Sequence, residues 1–105
     1  MAYRVVWSIE AVEDIESIAN YIDRDSAYYA SAVVNRIVTC AKNLIHFPLA
    51  GHIVPELNDE ALRERFVYSY RLIYRIKSEA ITIAAVIHGK RLLEPMKDRF
   101  KESES

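Results

Sequence analysis

The hydrophobic pattern of this chain changes period once, and that change constrains its fold more than any other feature. From residue 8 to about 45, apolar side chains recur every three or four positions; from residue 62 to 88 they alternate in steps of two. The first half therefore reads as helices and the second as strands. Pro48, Gly51, Pro55, Asn58 and Asp59 mark the loop between them, from Leu49 to Ala61. Helices followed by a run of strands describe an α+β domain, because each helix stripe needs a sheet to cover.

Residues 3–7, Tyr-Arg-Val-Val-Trp, read as an opening strand. Ser8 stands where a helix N-cap belongs, and Glu10, Glu13 and Asp14 suit the first turns. Val12, Ile15, Ile18, Ala19 and Ile22 form the inward stripe of a helix ending near Asp23 or Arg24. Asp25 or Ser26 caps a longer second helix whose stripe is Ala30, Val33, Val34, Ile37, Ala41, Leu44 and Ile45. So short a link makes the two an antiparallel hairpin. Three strands follow, Leu62–Tyr68, Tyr70–Lys77 and Ile81–His88, with turns near Ser69 and at 77–80. Their short connections require antiparallel pairing. Residues 91–101 are compatible with a final helix whose start Pro95 limits, and about 98–105 reads as a frayed tail. The expectation is one domain over 1–105 with the order β-α-α-β-β-β(-α). Its helical hairpin packs on one face of a small, mainly antiparallel twisted sheet, and the other face is left bare.

Composition narrows the chemistry. A chain of 105 residues with 51% apolar and 28% charged side chains is neither a disordered tail nor a linker. The single cysteine, Cys40, excludes an internal disulfide, a four-cysteine zinc site and a Cys-x-x-Cys pair, and reads as a small packing residue. His46, His52 and His88 lack metal-ligand spacing, and no Gly-rich phosphate loop exists, so neither metal nor cofactor is expected. No apolar run approaches the ~18 residues of a membrane span. The opening residues lack the apolar centre of a signal peptide. A cytoplasmic protein with no membrane partner is the expectation. The net charge of −1 excludes a whole-molecule field that draws in nucleic acid. It is unevenly spread, with four basic and nine acidic residues in 1–60 and ten basic and six acidic in 61–105.

Alternation along 70–77 turns Tyr70, Leu72, Tyr74 and Ile76 one way, toward the core, and Arg71, Ile73, Arg75 and Lys77 the other. Arg63 and Arg65 also share a face. If the strands pair so as to align them, Arg63, Arg65, Arg71 and Arg75 form a cationic patch, with Lys90 and Arg91 at its rim and His88 beside them. Guanidinium forks grip phosphate, and a histidine shuttles protons near neutral pH. The plainer alternative is an exposed strand carrying arginines for solubility, some paired with Glu56, Glu64 or Glu79. On the residues alone that alternative is favoured. Tyr68, Tyr70 and Tyr74 are able to stack on bases, but alternation places the last two in the core first.

The segments Tyr70-Arg-Leu-Ile-Tyr-Arg-Ile76 and Ile81-Thr-Ile-Ala-Ala-Val-Ile-His-Gly-Lys-Arg91 resemble the RelE/ParE superfamily of toxins from bacterial type II toxin–antitoxin modules. Trp7-Ser8, Ala11-Val-Glu-Asp-Ile15, Ile18-Ala-x-Tyr-Ile22 and the loop His46-Phe-Pro-Leu-Ala-Gly51 with Pro55-Glu-Leu57 are similar as well, so the likeness runs from about Tyr3 to Leu93. The resemblance implies the same fold, a cognate antitoxin as partner, and one of two targets. RelE-like members cut mRNA on the ribosome without a metal; ParE-like members poison DNA gyrase. For cleavage, the resemblance assigns phosphate contact to Arg71, basic roles to Arg63 and Arg65, and a Glu56–Arg71–His88 trio for proton transfer. For phosphate or target binding it matches Arg71 and Arg91, to which the patch read from the residues adds Arg75 and Lys90. Position 97, a tyrosine in some nucleases, is Lys97, and the Ile-His-Gly-Lys-Arg ending resembles the ParE-like side. An inactive toxin-fold binding module is the third reading.

Overall fold

Two serine hydroxyls set where the helices begin. In the computed structural model, which describes residues 3–101, Ser8 Oγ accepts from the Ala11 N–H at 3.1 Å and Ser26 Oγ from the Tyr29 N–H at 3.0 Å. Helix α1 then runs Ile9–Asp23 and α2 Ala27–Asn43. The strands are β1 (Arg4–Trp7), β2 (His52–Ile53), β3 (Leu62–Val67), β4 (Tyr70–Lys77) and β5 (Ala80–His88), and a 3₁₀ segment spans Glu94–Phe100. β2 is a two-residue edge too short to carry a periodic signal. The sheet order is β1-β5-β4-β3-β2, antiparallel except for the β1–β5 pair.

Helices α1 and α2 cover one face. Ala11, Ile18 and Ile22 from α1 and Ala30, Val33, Ile37, Ala41 and Leu44 from α2 meet Val67, Leu72, Tyr74, Ile81, Ile83 and Val86 of the sheet. Val12, expected in this stripe, is 44% exposed, because α1 is rotated to turn Ala11 and Asp14 inward. That rotation follows from the edge it serves. β1 ends opposite Ile83, so the rest of β5 lacks a strand neighbour on that side. The Asp14 carboxylate accepts the Val86 N–H at 2.9 Å and satisfies an otherwise orphaned edge donor. Ala84 is the extra residue of a bulge, since Ile73 pairs with Ala85 and Tyr74 with Ile83.

The opposite face is not bare, which corrects the expectation from sequence. Val54, Leu62, Ile73, Ala85 and Ile87 form a second apolar floor, and Leu93, Met96 and Phe100 of the C-terminal segment cover it. Arg99 ties that segment down through two bonds to Asp14, at 2.6 and 3.0 Å, and Arg75 donates to the Phe100 carbonyl. The segment is 3₁₀ rather than α, with Pro95 in its first turn. Packing thus extends beyond residue 98, where a frayed tail was expected to start; residues 102–105 lie outside the described part. β5 reads as a continuous apolar run because it is buried on both faces.

Phe100 is 4% exposed. We predict that Phe100→Ala costs about 3 kcal/mol in urea unfolding, as for a large side chain removed from a packed core. A change near zero would mean the segment does not pack.

Candidate functional site

The register of the β3–β4 hairpin decides which cations meet. Its loop has two residues, Tyr68 and Ser69, so Val67 pairs with Tyr70, Arg65 with Leu72, and Arg63 with Tyr74. Directly opposed residues share a face. Arg63 and Arg65 therefore lie on the helix side, while Arg71 and Arg75 point to the other. The four-arginine patch does not form.

On the far face Arg71 is instead enclosed by acid. Its Nε donates to Glu64 Oε1 at 2.6 Å, and its two terminal nitrogens donate to Glu56 at 2.8 and 2.9 Å. Arg71 is 4% and Glu64 3% exposed, whereas Glu56 is open to solvent. His52 extends the line, its Nε2 lying 2.8 Å from Glu64 Oε2 and its ring stacked against Phe66. β3 supplies Glu64, β4 supplies Arg71, the edge strand β2 supplies His52, and the loop after β2 supplies Glu56. Hydrogen bonding from Arg71 holds the Glu56 carboxyl below its ordinary value of 4.5. One guanidinium between two carboxylates leaves the cluster with a formal charge of −1, which repels phosphate.

The other candidates are dispersed. Arg75 bonds Asp59 at 3.1 Å as well as the Phe100 carbonyl. Arg63 donates to the Gly51 carbonyl at 2.7 Å, and its Nε finds no partner among the described residues. The Gly51 N–H donates to the Tyr74 hydroxyl, which donates to the Pro48 carbonyl. A Cβ at Gly51 would sit 2.6 Å from the Glu64 carbonyl oxygen, so only glycine lets the loop come this close. Arg63 is thus a loop anchor. His88 pairs with Tyr70, the two rings edge to face at 6.0 Å, and so faces away from Arg71. The Glu56–Arg71–His88 trio is broken, although Glu56 and Arg71 do meet. Lys90 and Arg91 are exposed on the turn after β5, with no ion pair among the described residues. His52 and Glu64 belong to the cluster without having been singled out as site residues in the sequence. The two-residue loop was their signal, since it places Glu64 on the face of Arg71. No group of three or more potential metal ligands occurs among the described residues.

Comparison with known proteins follows the same fold. A family model described as the ParE toxin of the type II toxin–antitoxin system parDE matches residues 5–93. Among solved structures, the chromosomal ParDE system of P. aeruginosa superposes with a TM-score of 0.69 at 20% identity, covering 82% of this chain and 95% of that one. The toxin–antitoxin complex RelBE2 of Mycobacterium tuberculosis gives 0.62 at 22%, with 84% and 99% covered. The YoeB dimer of Staphylococcus aureus gives 0.59 at 19%, with 82% and 95% covered. The comparison with curated proteins gives no match.

Two predictions follow from the cluster. Arg71→Ala leaves Glu64 buried with only the His52 ring beside it, and is expected to cost about 3–5 kcal/mol in urea unfolding. Replacing both as Glu64→Leu with Arg71→Met should recover most of that; equal losses in both variants would contradict the pairing. Because the folded value of Glu56 is depressed, its stabilising effect is complete above the ordinary value and fades as pH falls through the folded one. The Tm gap between the parent and Glu56→Gln should therefore be level near neutrality and close below pH 4.5. A gap independent of pH would show that the pair is not formed.

Proposed function

The chain belongs to the ParE toxin family of type II toxin–antitoxin systems, and on that premise we propose that it arrests growth by binding DNA gyrase and not by cutting mRNA. The observation that carries this reading is the state of Arg71. A phosphate-gripping arginine needs free donors facing solvent, and here those donors are given to Glu56 and Glu64 in a cluster of net negative charge. Arg63 and Arg65, the other cations a nuclease site would draw on, lie on the opposite face of the sheet. His88 is turned away as well. Of the cations after the hairpin, Lys90 and Arg91 are exposed with no ion pair among the described residues, and we assign them to target contact, while Arg71 and Arg75 serve packing.

A cognate antitoxin as the neutralising partner is part of the same reading. It is supported by the ParDE system and the RelBE2 toxin–antitoxin complex among the structural neighbours. Gyrase and antitoxin are cytoplasmic, so this reading places the protein there. No helix among the described residues is long and apolar enough to cross a membrane.

One observation favours mRNA cleavage as a second reading. His52, Glu64, Arg71 and Glu56 form a continuous line of titratable groups on one face, with His52 and Glu56 at its open ends. A histidine and a carboxylate flanking an arginine are the acid–base parts that RNA hydrolysis uses.

The purified, antitoxin-free protein is expected to block ATP-driven supercoiling of relaxed plasmid by gyrase, while mRNA on translating ribosomes stays intact. Unimpaired supercoiling overturns the gyrase reading, and transcripts cut within codons install the second. Normal growth on induction without antitoxin would leave an inactive binding module.

A further inference from the structure

A groove of about 640 Å³ runs between α2 and β3. Leu44 and Val67 line it together with the aromatic residues Phe47, Phe66 and Tyr68. Arg36 from α2 and Arg65 from β3 line it from opposite walls, and both are exposed. Neither has an ion pair or hydrogen bond among the described residues. No aspartate or glutamate lines the groove. Burial pushes the Cys40 thiol on the α2 wall up, against the smaller opposing pull of Arg65 and Arg36.

A second, independent feature marks the same place. Tyr68 stands at φ 54°, in the left-handed region where a bulky aromatic is strained and glycine is the usual choice for a two-residue hairpin loop. Its ring is 55% exposed, with one tilted contact to Tyr29 at 6.3 Å. Burial of the ring does not explain why a tyrosine holds this position. Backbone strain retained at an exposed aromatic points to a role outside the folded monomer.

We propose that this groove docks an acidic segment of a partner protein, with carboxylates on Arg36 and Arg65, an aliphatic side chain on Leu44 and Val67, and Tyr68 packing against its end. The charge argues for that occupant. Two guanidinium groups with no acid nearby match two carboxylates. Nucleic acid needs many more phosphate contacts for comparable binding. The inference rests on the groove alone and stands whether the target is gyrase or mRNA.

A random linear peptide library selected on the purified protein tests it. Enriched peptides should combine aspartate or glutamate with leucine, isoleucine or valine, and should slow alkylation of Cys40. Arg36→Glu with Arg65→Glu is expected to weaken their binding by more than about tenfold without lowering Tm, since neither arginine has a partner to lose. Tyr68→Gly is expected to weaken binding while leaving Tm equal or higher, because it removes strain and binding area together. Enrichment of basic or uncharged peptides, or binding indifferent to both variants, overturns the proposal. So does tighter binding of single-stranded RNA to the same groove.

Discussion

A single guanidinium joins most of what is distinctive on the far side of this sheet. Arg71 projects from β4 and is held by Glu64 on the neighbouring β3 and by Glu56 on the loop that follows β2. Burying a charge is tolerable only when it is paired and its donors are used, and this geometry meets both conditions. The consequences extend outward. Glu64 reaches His52 and helps fix the short edge strand, and the bidentate grip on Glu56 ties down the loop. Beside the cluster lies the apolar floor that Leu93, Met96 and Phe100 cover. Electrostatics that would serve phosphate binding if Arg71 stood free serve cohesion instead.

The two faces of the sheet do different work. The helix side holds the larger core and leaves the α2–β3 groove, whose charge is positive. The far side is closed by the chain's own C-terminal segment through Arg99–Asp14 and Arg75–Phe100. Asp14 joins the two sides, since it both completes the open edge of β5 and receives Arg99. The family's fold is thus kept, with the positive charge of the second half of the chain divided between faces rather than gathered on one.

Much of this was legible in the sequence. Ser8 announced the first helix start and the Asp25-Ser26 pair the second, because capping is local chemistry, and the change from a helical to an alternating period located the strands. The two faces of β4 were also readable, with Leu72 and Tyr74 on one and Arg71 and Arg75 on the other. The positions of Arg63 and Arg65 were readable in principle. A two-residue loop at Tyr68-Ser69 dictates that they oppose Tyr74 and Leu72, whereas spacing of two within a strand says only that they share some face. The cover supplied by Phe100 was harder to see, because a seven-residue 3₁₀ segment has too few turns for periodicity and its packing depends on contacts with β5 distant in the chain. Pairing of the arginines with Glu56, Glu64 or Glu79 was the reading the residues favoured, and Arg71 does meet Glu56 and Glu64, but which acid would meet which arginine was hidden for the same reason. Glu56 sits in a loop, and nothing local states where a loop carboxylate will land.

The account turns on whether Arg71 is locked between its two carboxylates. Nitrogen-detected NMR of the arginine side chains in the free protein measures this directly. A locked guanidinium gives resolved, slowly exchanging terminal N–H signals for Arg71 at neutral pH, unmoved by added single-stranded RNA. One averaged signal that shifts as RNA is titrated would mean that the arginine is free to grip phosphate, and would contradict the central claim.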